Sequence, residues 1–85
     1  MYYVTMTDKF MSGWGPARNK VNKLVISCST YARAEIAERK ANARSEMKYV
    51  NLCSKKPYYN SSRYHVSFHG DEQGDYQIWM EVYHE

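Results

Sequence analysis

The sequence predicts an α+β domain in which a small antiparallel β-sheet carries one α-helix packed on one face, in the order strand, strand, helix, strand, strand. Three observations predict it. Residues 2–7 and 23–29 alternate apolar and polar side chains and are rich in β-branched and aromatic types. Residues 31–47 are rich in Ala, Glu, Arg and Lys and hold no Gly or Pro. Shorter alternating runs then recur at residues 49–54 and 63–69. Strands grouped around a single helix fit a two-layer arrangement, and 85 residues make a single domain, 1–85.

The first strand places Tyr2, Val4 and Met6 on one face and Tyr3, Thr5 and Thr7 on the other. Residues 8–22 follow as a connection containing Gly13, Trp14, Gly15 and Pro16, longer than the usual ~4 to 6 residues and therefore functional or mobile. The second strand alternates Leu24, Ile26 and Cys28 against Val25 and Ser27, with Cys28 toward the core. Ser29 or Thr30 serves as N-cap for a helix of about four turns reaching Met47. On that helix Ala32, Ile36, Ala43 and Met47 form one arc, and Ala34, Ala37 and Ala41 a second that lets the helix lie close to a sheet.

In the third strand Val50 and Leu52 point inward, which puts Cys53 on the face opposite Cys28 and argues against a disulfide. Residues 55–62, marked by Pro57 and Asn60, connect to a fourth strand with Tyr64, Val66 and Phe68 inward. Residues 70–74 make a turn. Residues 75–83 fit two patterns: Ile78, Met80 and Val82 suit a strand, whereas Ile78, Trp79, Val82 and Tyr83 suit a helix face. The aromatic content of this acidic stretch leads us to expect residues 78–83 to dock on the body of the domain.

Charge is segregated along the chain. All twelve Lys and Arg lie between Lys9 and Arg63, with only Glu35, Glu38 and Glu46 among them, whereas Asp71, Glu72, Asp75, Glu81 and Glu85 occupy a stretch without a single Lys or Arg. Such asymmetry points to a charged binding surface rather than a reaction centre. No run of 18 apolar residues is present and the N-terminus lacks the features of a signal peptide. The expectation is a soluble intracellular protein, without membrane association, with two free thiols and with Asn60-Ser61-Ser62 unglycosylated.

The catalytic and metal-binding constellations are poor. His65 and His69 would sit one turn apart on a helix, but their neighbours read as strand, where residues four apart are separated by ~13 Å and cannot chelate one ion. No nucleophile-elbow signature accompanies Cys53 or a Ser. Gly13-Trp14-Gly15-Pro16, with Arg18, Lys20 and Lys23 behind, lacks both the third Gly of a dinucleotide loop and the Gly-Lys-Ser/Thr of a phosphate loop. No catalytic residue, cofactor or metal is therefore expected.

Three features suit binding. Trp14 is either an interface anchor presented between flanking glycines or a cap folded onto a small core. Lys40, Arg44 and Lys48 run i, i+4, i+8, which is either a cationic helix face for a partner or a solvated last turn that complements the helix dipole. Residues 55–64 interleave Lys55, Lys56 and Arg63 with Tyr58, Tyr59 and Tyr64. That mixture suits phosphates and stacked bases, and equally a protein interface or a sheet edge covered by tyrosines.

The stretch of residues 3–15 (YVTMTDKFMSGWG), with residues 47–51 (MKYVN) and 56–60 (KPYYN), resembles a group of small uncharacterised proteins carried by bacterial phages and conjugative elements. Small proteins of that origin include counter-defence factors such as anti-CRISPR proteins, which bind a nuclease or effector complex stoichiometrically. The resemblance implies a non-enzymatic accessory protein that inhibits a host defence complex by binding a host protein or ribonucleoprotein. The alternative reading is a small RNA- or single-stranded-DNA-binding module. Trp14, Arg18, Lys20, Lys40, Arg44, Lys48, Lys55, Lys56, Tyr58, Tyr59 and Arg63 are the candidate partner-binding residues under either.

Overall fold

A computed structural model describes residues 1–74, 76 and 77, and the α+β class with one helix packed on a sheet is what it shows. Strand β1 (Tyr2–Asp8) pairs antiparallel with β2 (Val21–Cys28) on one side and with β3 (Met47–Cys53) on the other. The fourth strand, β4 (Tyr64–Gly70), extends the sheet beyond β2, so the order is β3-β1-β2-β4. Helix α1 (Tyr31–Asn42) lies over β3, β1 and β2.

One pairing departs from an all-antiparallel sheet: β4 runs parallel to β2, with Val21 opposite Tyr64 and Ile26 opposite His69. The connection between β3 and β4 explains how. Because β3 and β2 are both antiparallel to β1, β3 ends at the end of the sheet where β2 ends, whereas β4 begins where β2 begins. Residues 54–63 must therefore cross from one edge and end of the sheet to the other. Three strand spacings of ~4.8 Å and a strand length of ~20 Å give a diagonal of about 25 Å, and ten extended residues span up to ~33 Å. The segment is long enough to do this and still turn at Asn60, whose carbonyl accepts from the Arg63 and Tyr64 N–H groups.

Alternation in the first two strands places the core as expected. Val4, Met6, Leu24, Ile26 and Cys28 are buried together against Ala34, Ala37 and Ala41 of the helix, with Tyr2, Met47, Val50, Leu52 and Tyr76 packed around them. Each fully buried large side chain here contributes roughly 1.5–3 kcal/mol. Of the two alanine arcs, Ala34, Ala37 and Ala41 face the sheet, while Ala32 and Ile36 are exposed. Lacking bulk, the three alanines bring the helix backbone close to β1 and β3.

The helix is shorter than its composition suggests. Thr30 caps it, its Oγ1 accepting from Arg33 N–H at 3.2 Å, but it ends at Asn42 with Ala43 as C-cap. Beyond that point Arg44 N–H donates to Ala41 O and Met47 N–H to Arg44 O. The Glu46 carbonyl is taken by Lys9 N–H at 2.9 Å, and Met47 already pairs with Asp8. Strand pairing thus overrides local propensity at residues 43–47. Met47 belongs to β3, not to a helix arc.

Tyr64, Val66 and Phe68 are not on the helix-facing side. In parallel register Phe68 sits opposite Val25 and Val66 opposite Lys23, so these side chains share the outer face of the sheet. Residues 54–63 cover part of that face, with Tyr59 beside Lys23 and Lys56 beside Phe68, and Val25, Thr5 and Thr7 on it are buried. His65 and His69 instead take the inner side, where His69 stacks on Tyr76 at 4.1 Å. Asp71 closes this end of the sheet. It is buried, its carboxylate accepts from Arg33 Nε, and its N–H donates to Ser27 O. At the start of the stretch that fits either a strand or a helix, Tyr76 and Gln77 are helical, with the Gln77 N–H donating to the Gln73 carbonyl at 2.6 Å, whereas the expectations for Asp75 and for residues 78–83 lie outside the described residues.

Both cysteines are free, with Cys28 buried and Cys53 half-buried on the opposite face. Burial first, and the Asp71 carboxylate second, push the Cys28 thiol up to about 11 from its ordinary value of 9.0. The folded state thus keeps a proton that the unfolded chain gives up near pH 9. The thiol's contribution to stability is complete below that pH and is lost as pH rises toward 11. At pH 8 the native protein should expose a single thiol to a disulfide reagent, Cys53, with Cys28 reacting only on unfolding. Urea melts should show a decline in stability between pH 9 and 11 that Cys28→Ala reduces. Ala37→Leu should cost roughly 1–3 kcal/mol in the same melts, because the helix must move off the sheet to admit it.

Candidate functional site

The outer face takes its chemistry from strand parity. Thr7, Lys23, Tyr64 and Phe68 occupy outer positions, and a bulge in β3 adds Tyr49. Between the pairs Thr5–Asn51 and Thr7–Lys48, β3 has one residue more than β1, and Tyr49 adopts φ 54°. A left-handed conformation is costly for a side chain of this size. It turns the Tyr49 ring, which stays 76% exposed, over the outer face.

Lys23 lies at the centre. Its Nζ donates to Thr7 Oγ1 at 2.6 Å and sits 5.9, 5.6 and 5.8 Å from the ring centroids of Tyr49, Tyr59 and Tyr64. Tyr59 and Tyr64 also contact each other, with centroids 5.5 Å apart. Partial burial lowers the pKa of the Lys23 ammonium from its ordinary value. Within the crossing segment, Lys56 Nζ lies 4.9 Å from the Phe68 ring. Tyr58, 91% exposed, and Phe68, 47% exposed, leave aromatic surface open to solvent beside these cations.

Three grooves run across this face and share Tyr64. The first, of about 630 Å³, lies between the crossing segment and β4 and includes Lys20, Lys56, Tyr58, Tyr59 and Phe68. A second, of about 450 Å³, contains Lys9, Thr7, Lys23 and Tyr49. The third, toward the β1–β2 connection, contains Lys20 and Arg63. Among the described residues none of the three grooves includes an Asp or Glu. Glu35 and Glu38 are on the helix, Glu46 pairs with Arg44 at 3.5 Å, and Asp71 holds Arg33.

The other sequence candidates are dispersed. Lys40 is only 9% exposed on the helix, Arg44 lies past its end, and Lys48 lies on β3 opposite Thr7. The cationic helix stripe therefore does not form. Lys55 and Arg63 are exposed at the two ends of the crossing segment, and Arg18 is exposed next to the 3-10 turn Gly15–Ala17. Lys23, Tyr49 and Phe68 were absent from the sequence candidates. Parity along β2 was the available signal for Lys23, since an inward Leu24 requires an outward Lys23.

Trp14 is 71% exposed and stands with Phe10 and Met11, also exposed, at the tip of the β1–β2 connection. It does not fold back onto the core. The connection is held rather than loose. Asp8 Oδ1 accepts from the Phe10 and Met11 N–H groups, Ser12 Oγ donates to Asp8 O and accepts from Asn22 N–H, and Gly13 N–H donates to the Ala17 and Lys20 carbonyls. Gly13, at φ 85°, and Gly15, at φ 52°, occupy left-handed conformations that glycine adopts without strain.

Among the described residues no group of three or more His, Cys, Asp or Glu could hold a metal ion, and no helix is long and apolar enough to cross a membrane. The packing of Tyr59 on Lys23 and Tyr64 predicts that Tyr59→Ala destabilises the fold by about 1–3 kcal/mol in urea melts, since it unseats the crossing segment. Trp14→Ala and Phe10→Ala should change stability by no more than about 0.5 kcal/mol, because both side chains project into solvent. No protein-family model, curated protein sequence or solved structure matches this chain, so its function is argued from the chemistry of the outer face.

Proposed function

We propose that this chain is a non-enzymatic binding module for single-stranded nucleic acid, and that its outer face is the binding surface. The observation that carries this reading is the joining of Lys9, Lys20, Lys23, Lys56 and Arg63 with exposed aromatic rings in grooves that no acidic side chain enters among the described residues. Cations follow a phosphate backbone, and rings with one free face stack on bases that a single strand leaves unpaired. Tyr58 and Phe68 supply such faces. Duplex DNA hides its base faces and offers them nothing.

A second reading has its own observation. Phe10, Met11 and Trp14 form an exposed apolar tip on a connection already fixed by hydrogen bonds. A preorganised aromatic anchor of this kind loses little entropy on docking to a protein. Together with the resemblance to proteins of mobile elements, it supports a stoichiometric inhibitor of a host defence complex in the bacterial cytoplasm.

The two readings separate in solution. Under the first, dT12 and rU12 bind with a log affinity against log salt slope of about −3, as expected for four phosphate contacts at ~0.7 each, and a 12-base-pair duplex binds more weakly. Charge reversal of Lys55, Lys56 and Arg63 should weaken dT12 at least tenfold without changing the melting midpoint. Tyr58→Ala should lose about 1–3 kcal/mol of stacking. Absence of measurable dT12 binding at 50 mM salt would falsify the nucleic-acid reading. The inhibitor reading predicts instead that Phe10→Ala and Trp14→Ala together abolish protection of a phage from the host system while oligonucleotide binding stays as it was.

A further inference from the structure

The ammonium of Lys23 has three N–H donors, and the fold uses one of them, on Thr7 Oγ1. Three tyrosine rings stabilise its charge through their faces, but rings do not neutralise it. Among the described residues no carboxylate lies within 4.0 Å of it. A cation drawn out of water without a counter-ion is costly, and the direction of its pKa agrees with that cost. Among the described residues the fold therefore holds a positive charge at a place where it supplies no negative one.

What opens onto this charge is the 450 Å³ groove, whose wall adds the exposed ammonium of Lys9 and the hydroxyls of Thr7 and Tyr49; the Ser12 hydroxyl on the same wall already donates to the Asp8 carbonyl. Tyr49 is also the large side chain held at positive φ by the β3 bulge. Backbone strain that aims a ring beside an unneutralised cation is an observation from which function can be inferred. Cations and hydroxyl donors around one small open volume match the several oxygens of a phosphate. The exposed Tyr49 ring next to it matches the base carried by the same nucleotide.

We propose that Lys23 and Lys9, with Tyr49 beside them, form a seat for one phosphate group of the bound strand. This rests on the single-strand reading of the outer face and locates one nucleotide on it. The phosphate accepts from both ammonium groups, the Tyr49 ring stacks on the adjoining base, and the strand continues past Tyr64 toward Tyr58 and Phe68.

The test compares dT12 affinity by fluorescence anisotropy, at several salt concentrations, for the wild-type chain, Lys9→Gln, Lys23→Gln, Lys23→Arg and Tyr58→Ala, the last lying outside the seat. Inorganic phosphate is titrated in parallel while the Lys23 side-chain ammonium signal is followed by NMR. Expected are a roughly tenfold weakening and a salt slope shallower by about 0.7 for each Gln variant. Lys23→Arg should retain the wild-type slope, and dT12 should displace inorganic phosphate from Lys23. If Lys23→Gln does not fold, the exposed Lys9 carries the comparison alone. Gln variants that bind dT12 with wild-type affinity and slope, while Tyr58→Ala is weakened, overturn the seat and leave the single-strand reading standing. If the wild-type chain does not bind dT12, the single-strand reading fails. The seat then survives as a site for free phosphate only if inorganic phosphate moves the Lys23 signal in the wild type and not in Lys9→Gln, and it falls otherwise.

Discussion

Residues 54–63 leave the sheet at the edge and end where β3 finishes and must re-enter at the opposite edge and end, where β4 begins. With α1 packed over β3, β1 and β2 on the inner face, the diagonal runs over the outer one. Most of what distinguishes this molecule follows from that crossing. It covers part of a face that a simple two-layer domain would leave wet. It also brings Tyr59 onto Lys23 and Tyr64, and Lys56 onto Phe68. A segment that reads as a polar loop thus becomes a partial third layer. Its own side chains, Tyr58 above all, then form one wall of the largest groove described on this face.

The crossing also sorts charge in space. Along the chain, Glu35, Glu38 and Glu46 interrupt the basic stretch, but in three dimensions the first two belong to the helix layer and the third is engaged by Arg44. Among the described residues the outer-face grooves hold cations and no Asp or Glu. Exposed charges more than about 8 Å apart are largely screened at physiological salt, whereas a concave surface with low-dielectric walls concentrates the field of the few charges lining it. Electrostatic attraction on this face therefore has a local source, in five or six side chains, rather than in the net charge of +3.

The β1–β2 connection is joined to the same rigid frame. Ser12 donates to the Asp8 carbonyl and accepts from Asn22 N–H, so it ties the last residue of β1 to the second residue of β2, and it also borders two of the grooves. A partner engaging Phe10, Met11 and Trp14 would approach next to the outer face of the sheet, not on an independent appendage.

Sequence alone determined the α+β class, the inward registers of β1, β2 and β3, the separation of Cys28 from Cys53, and a helix starting at Tyr31 behind Ser29 or Thr30, of which the structure uses Thr30 as the cap. All of these depend on local periodicity and capping, which neighbouring residues encode. It also marked Lys56, Tyr58, Tyr59 and Arg63, because interleaved cations and rings are visible as composition. Tertiary structure decided the rest. Parallel pairing of β4 depends on where a connection can reach, not on what β4 contains, and with the strand on that edge Tyr64, Val66 and Phe68 turned outward. The helix stopped at Asn42 because Met47 had to pair with Asp8, a long-range bond that no residue between them announces. Lys23 became the centre of the outer face because β3, the crossing segment and β4 each bring one tyrosine to it. Residue 23 is at least 26 positions from each of these tyrosines, and only the folded chain puts three rings around one charge.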